Sequence, residues 1–98
     1  MITTVKEVKQ KITPVLKEFG VEYAGVFGSV ARGQATEKSD VDLLVRLSQG
    51  TGMFAYMRLL NSLEEALHRK VDLVTENGLN KFVRPHALRE LQTIYEKR

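Results

Sequence analysis

The sequence predicts an α/β (α+β) domain in which helices pack on a small mixed β-sheet. Three short runs rich in β-forming residues, at 21–27, 41–47 and 71–74, alternate with stretches whose apolar residues recur at helical spacing. Strands that alternate with helices build a sheet covered by helices. Because 98 residues suffice for one hydrophobic core, we expect residues 1–98 to form a single domain.

The first helix is expected over residues 3–19. Thr4 and Glu7 have the spacing of a capping box, and Gly20 is typical of a residue that ends a helix. Pro14 lies inside this stretch and lacks the backbone N–H of a helix interior. We therefore expect a kink there, or a restart with Pro14 in the first turn of a second helix.

The remaining helices are expected over residues 29–34, Met53 to Leu67, 79–83, and from Pro85 onward. The helix that begins at Met53 should bury an apolar stripe formed by Phe54, Met57, Leu60, Leu63 and Leu67. The last helix should carry Leu88, Leu91, Ile94 and Tyr95. Polar loops are expected at 34–39 and 76–78.

The composition excludes several classes of protein. With 43% hydrophobic and 28% charged residues, the chain resembles ordinary globular proteins, so we expect all of it to fold. It contains no cysteine, which rules out disulfide scaffolds and thiolate zinc sites. No apolar run approaches the ~20 residues that span a bilayer, and no signal pattern opens the chain. A cytoplasmic location without membrane attachment is the expectation.

Two acids in the second predicted strand are the main candidates for chemistry. Asp40 and Asp42 are one residue apart among valines and leucines, so their side chains share one face of the strand. Like charges at this spacing raise each other's pKa unless a cation lies between them. Carboxylate oxygens suit Mg²⁺, which is commonly completed by substrate phosphates. Taken alone, an Asp-x-Asp pair more often only caps a strand at the sheet edge.

A candidate phosphate site precedes these acids. Gly28 and Ser29 follow a predicted strand and open a short helix, whose free N–H groups attract anions. Arg32 lies one turn later and could reach the same phosphates, although a surface salt bridge would explain it equally well. Ser39, directly before Asp40, is expected to bond the loop backbone and hold that acid in place.

The segment GVFGSVARGQATEKSDVDLLV resembles the signature of the DNA-polymerase-beta-like nucleotidyltransferase superfamily. The order of strand, Gly-Ser turn, short helix and acid-bearing strand is the same. In that superfamily a third acid lies on a later strand, and Asp72 in KVDLV occupies the matching place. The resemblance covers nearly the whole chain and is greatest to minimal nucleotidyltransferase (MNT) domains. It implies that Asp40, Asp42 and Asp72 hold two Mg²⁺ ions, and that ATP is the substrate.

Many MNT domains are antitoxins that are encoded beside a HEPN-domain toxin ribonuclease. The resemblance implies that this chain transfers AMP from ATP to a tyrosine of a HEPN partner and silences it. Two alternatives stay open: transfer to a small hydroxyl compound such as an aminoglycoside, with a second chain completing the site, or inhibition by binding without catalysis. A homo- or hetero-oligomer is compatible with the sequence, and no direct contact with nucleic acid is expected.

Overall fold

The computed structural model describes residues 3–76 and 88–97. Within these ranges lie the helices α1 (Val5–Glu18), α2 (Gly28–Ala31) and α3 (Met53–Leu67), and the strands β1 (Tyr23–Phe27), β2 (Val41–Arg46), β3 (Val71–Thr75) and β4 (Gln92–Glu96). The predicted fold class is confirmed. None of the helices in the described ranges has the length and apolar character needed to cross a bilayer.

The four strands form one mixed sheet in the order β3-β2-β1-β4. β1 is antiparallel to both of its neighbours, whereas β2 and β3 are parallel. Two consecutive parallel strands need a long crossover connection, and α3 supplies it. This crossover brings the start of β3 beside the start of β2.

The hydrophobic core lies between one face of the sheet and the helices α1 and α3. In β2 the alternate residues Val41, Leu43 and Val45 are buried in this core, as the period of two predicts. The opposite face carries Asp42 and Leu44 and has a smaller apolar cluster. That cluster consists of Phe27 and Leu44, with Val74 and Leu91 packed against them.

Helix α1 begins as predicted. The Thr4 hydroxyl accepts a hydrogen bond from the Glu7 N–H at 3.1 Å, and Gly20 has a positive φ of 67° after the helix end. The predicted restart at Pro14 is wrong, because one continuous helix runs through it. Ile12 and Leu16 on either side of Pro14 are both fully buried, so the same core holds both halves of the helix.

Helix α3 has the predicted bounds, but the first two residues of its predicted apolar stripe do not face the core. Its buried residues are Leu59, Leu63 and Leu67, whereas Phe54 is 86% exposed and Met57 is 42% exposed. The predicted stripe was therefore wrong at its first two positions. The first half of the helix reads MFAYMRLL, which is apolar on several sides, so spacing alone could not select the face that packs.

The predicted last helix is wrong from Gln92 onward. Residues 88–90 are helical, but Gln92–Glu96 form strand β4 on the open edge of β1. Ile94 is buried in the core from this strand. The apolar residues of this segment have a spacing that is compatible with a helix as well as with a strand. A local sequence pattern does not show that the edge of β1 is available for pairing. The predicted helical start at Pro85, the stretch 79–83 and most of the loop 76–78 lie outside the described residues.

The packing of α3 can be tested with one buried and one exposed residue. Leu63 is fully buried, so Leu63→Ala should lower the free energy of unfolding by about 2 to 5 kcal/mol through lost burial and the cavity left behind. Phe54→Ala, at a side chain that is 86% exposed, should change it by less than about 0.5 kcal/mol. Urea unfolding measures both values. Equal losses would contradict the observed orientation of the helix.

Candidate active site

Asp42 and Asp72 lie side by side in the sheet. They are register partners in the parallel pair of β2 and β3, and each is the second residue of its strand. Register partners in neighbouring strands project from the same face, which here is the face opposite α1 and α3. The two carboxylates therefore meet on the side of the sheet opposite α1 and α3. Asp40, which is exposed, directly precedes β2.

The electrostatics of Asp42 reflect this arrangement. Burial, the charge of Asp72 and the charge of Asp40, in that order, raise the pKa of Asp42 to about 6, and a hydrogen bond between the Asp42 and Asp72 side chains adds to the effect. The positive charge of Arg32 acts in the opposite direction. The site is thus an acidic cluster that holds a proton more tightly than an isolated aspartate and favours a bound cation.

The turn that joins β1 to α2 at Gly28, called the Gly28 turn below, contacts the Asp42 carboxylate. Phe27 at the end of β1 is the register partner of Asp42, so the next residue, Gly28, lies beside that acid. Gly28 has φ 72°, and a Cβ built on it would lie 2.1 Å from Asp42 Oδ2. Only glycine combines this backbone conformation with such a close approach. The close contact with Asp42 therefore explains why the predicted Gly-Ser turn needs glycine at position 28.

A residue that sequence reasoning missed occupies this turn. The Glu90 carboxylate accepts a hydrogen bond from the Gly28 N–H at 3.1 Å, and Arg32 Nη1 donates to both of its oxygens at 2.9 Å. Arg32 Nε also donates to Gln34 Oε1 at 3.1 Å. Glu90 is separated from Gly28 by 62 residues, so no local spacing could have revealed the contact. Arg32 therefore forms an ion pair, which was one of its two predicted roles.

The loop before Asp40 is fixed from two sides. Ser39 Oγ accepts the Thr36 N–H at 2.9 Å, which closes the loop on itself. Arg69, at the start of the connection from α3 to β3, donates from Nη1 to the carbonyl oxygens of Thr36 at 2.9 Å and Ser39 at 3.5 Å. Its contacts tie the loop that carries Asp40 to the strand that carries Asp72.

Comparison of the sequence with known proteins identifies the family of this chain. Residues 10–98 match the sequence profile of the polymerase beta nucleotidyltransferase family. The chain belongs to this nucleotidyltransferase family. It is 38% identical over 92 residues to the protein adenylyltransferase MntA of Thermococcus cleftensis, which covers 90% of this chain and 93% of that protein.

Solved structures agree with this membership. A structure described as a minimal nucleotidyltransferase is 38% identical, covers 90% of both chains and superposes with a TM-score of 0.76. A second structure holds a tri-AMPylated HEPN toxin of Shewanella oneidensis in complex with its MNT antitoxin. Its matching chain is 19% identical, with a TM-score of 0.71 over 94% of this chain and 72% of that one. At that identity the second match shows the fold.

The donor set of this nucleotidyltransferase has the chemistry of a magnesium site. Its side chains are hard carboxylate oxygens, and a divalent cation would relieve the repulsion that raises the Asp42 pKa. Within residues 3–76 and 88–97, no three acidic or histidine side chains form a ready-made metal cluster. Asp42 and Asp72 are therefore the assembled part of the predicted site, and exposed Asp40 adds to it through its charge.

A cavity of about 490 Å³ lies away from these acids, between the start of α3 and the ends of β2 and β3. It is lined by Leu47, Thr51, Gly52, Met53, Tyr56, Leu73, Val74 and Thr75. None of the predicted site residues lines it. The acidic cluster and the close approach of Gly28 to Asp42 place the candidate active site on the face of the sheet opposite α1 and α3 instead.

The raised pKa of Asp42 predicts that this acid destabilises the folded protein at neutral pH. Its folded pKa of about 6 exceeds the unfolded value, so stability should fall as pH rises from about 4 to 7. Asp42→Asn should therefore raise the free energy of unfolding at pH 7.5 by roughly 1 kcal/mol, a value reduced for solvent screening because the side chain is partly exposed. Near pH 4 the variant and the wild type should be nearly equal.

Urea unfolding without divalent cations, at both pH values, measures this difference. Glu18→Gln, at an exposed position on α1, is the matched control and should change stability by less than about 0.5 kcal/mol at either pH. A wild type that is more stable than Asp42→Asn at pH 7.5 would contradict the electrostatic interpretation.

Proposed function

We propose that this chain transfers AMP from ATP to a tyrosine hydroxyl of a HEPN-domain toxin and so neutralises that toxin. The observation that carries the proposal is the pairing of Asp42 with Asp72 beside the Gly28 turn. The names of its relatives support the reaction and the partner, since one is a protein adenylyltransferase and another is an MNT antitoxin bound to an AMPylated HEPN toxin.

The reaction replaces one phosphorus–oxygen bond with another. The acceptor oxygen attacks the α phosphorus of ATP, the bond to the β phosphate breaks, pyrophosphate leaves, and the acceptor hydroxyl gives up its proton. Magnesium held by Asp40, Asp42 and Asp72 would stabilise the negative charge at both ends of this displacement. Asp72 is exposed and would receive or direct the departing proton when the hydroxyl lies within hydrogen-bond reach.

The Gly28 turn would hold the outer phosphates of ATP. Ser29 is half-buried at the first turn of α2, and its hydroxyl can donate to a phosphate oxygen. Because Gly28 lies against Asp42, phosphates bound at Ser29 would leave the α phosphate near the acids. Ser39 would support this geometry through the loop that precedes Asp40.

The sheet topology leaves room for a protein acceptor. Among the described strands, β3 is at the edge of the sheet, so no further strand lies beyond Asp72. The acid-bearing face is also opposite to the core helices α1 and α3. A tyrosine on the surface of another protein could therefore approach Asp72 from the open side.

Mass measurement of the acceptor tests the proposal. The purified chain is mixed with ATP, magnesium and a candidate HEPN partner protein, and the HEPN protein should gain one or more AMP units. Asp42→Asn and Asp72→Asn should each slow this gain on the order of a thousandfold, because several kcal/mol of transition-state stabilisation would be lost. Glu18→Gln, exposed on α1, is the control and should retain the wild-type rate.

Two outcomes would contradict AMP transfer to a HEPN protein. If Asp42→Asn still neutralises the toxin and neither form adds mass, the chain acts by occlusion alone. If mass is gained by added small hydroxyl compounds while the HEPN protein stays unmodified, the acceptor belongs to the aminoglycoside class.

A further inference from the structure

The segment 90–92 holds helix α2 at both of its ends. Glu90 binds the Gly28 N–H at the start of the helix, and Gln92 Nε2 donates to the Ala31 carbonyl at its end, at 2.9 Å. Between them, Leu91 packs so closely over Gly25 that a Cβ there would lie 2.6 Å from Leu91 Cδ1. These three contacts place Glu90 against the turn at Gly28 and Ser29. This is the turn that we propose holds the outer phosphates of ATP, and it is called the phosphate turn below.

Glu90 forms an ion pair with Arg32, with 2.9 Å between Arg32 Nη1 and Glu90 Oε1. The Glu90 side chain is only 15% exposed, and a carboxylate with so little contact to water needs a charged partner. Arg32 supplies that charge through Nη1, while Gln34 fixes Nε. Among the residues that the structure describes, Nη2 of Arg32 has no hydrogen-bond partner. Its two N–H groups are therefore left for a ligand, on a side chain that is 42% exposed.

The acidic cluster competes with Glu90 for the positive charge of Arg32. Its charge acts on Asp42, so the guanidinium lies within electrostatic range of the acids. Without Glu90, the negative charge of Asp42 would still attract the Arg32 guanidinium. An arginine paired with Asp42 would occupy the carboxylate that the metal needs, and it would leave the phosphate turn without its cation.

We propose that Glu90 is a positioning residue for nucleotide binding, which holds the Arg32 guanidinium beside the phosphate turn and away from the acids. Arg32 then presents Nη2 to the triphosphate while Glu90 keeps Nη1. This role rests on the proposed function, because it concerns the binding of the same ATP. In this role Glu90 would act through Arg32 and would contact neither the nucleotide nor the reacting atoms.

Calorimetric titration with magnesium and a non-hydrolysable ATP analogue tests this role. Glu90→Gln keeps an oxygen for the Gly28 N–H but loses the charge that holds Arg32, so the dissociation constant should rise about tenfold. Arg32→Gln should raise it by at least as much. The double variant should bind within about twofold of Arg32→Gln alone, because Glu90 acts through Arg32. At saturating ATP, the kcat of Glu90→Gln should fall by less than about threefold.

Glu22→Gln is the matched control, since Glu22 pairs with Arg46 at the far end of β1 and should leave binding unchanged. Tighter binding by Glu90→Gln would overturn the proposal and show that Glu90 competes with phosphate. Unchanged binding, or losses that add in the double variant, would overturn it as well. A wild-type chain that binds no analogue would instead refute the proposed function on which this role rests.

Discussion

The adjacency of two carboxylates in a parallel strand pair is the constraint on which the rest of the structure depends. Asp42 and Asp72 are register partners, so their charges cannot separate without breaking the ladder between β2 and β3. Burial of the Asp42 charge opposes folding, and repulsion from Asp72 adds to the cost. A protein retains such an arrangement when a bound cation or a reaction compensates for it.

The main core tolerates this cost because it lies on the side of the sheet opposite the acids. Alternation in β2 and β3 sends Val41, Leu43, Val71 and Leu73 to the helices and both acids to the open face. The crossover through α3 sets the parallel register that brings the acids together. Packing and chemistry thus use opposite faces of the same two strands.

Much of the site could be predicted because it depends on short-range rules. A period of two fixed the face of Asp42, and the Gly-Ser turn after β1 required only a strand and a glycine with positive φ. Contacts between distant segments could not be predicted in the same way. Glu90 reaches Gly28 across 62 residues. β4 pairs with the edge of β1, which a local sequence pattern does not show. In the first turns of α3, the apolar side chains of Met53, Phe54 and Met57 are exposed.

Binding of a paramagnetic cation is the most direct test of the acidic cluster. Mn²⁺ takes the same oxygen ligands as Mg²⁺ and broadens the NMR signals of nearby amides. Low concentrations should erase the amide signals of Asp42 and Asp72 first, followed by those of Gly28 and Ser29, and Asp42→Asn should prevent the loss. Broadening centred on another acidic pair, such as Glu64 and Glu65 of α3, or broadening that survives in Asp42→Asn, would contradict a cation site built on these two strands.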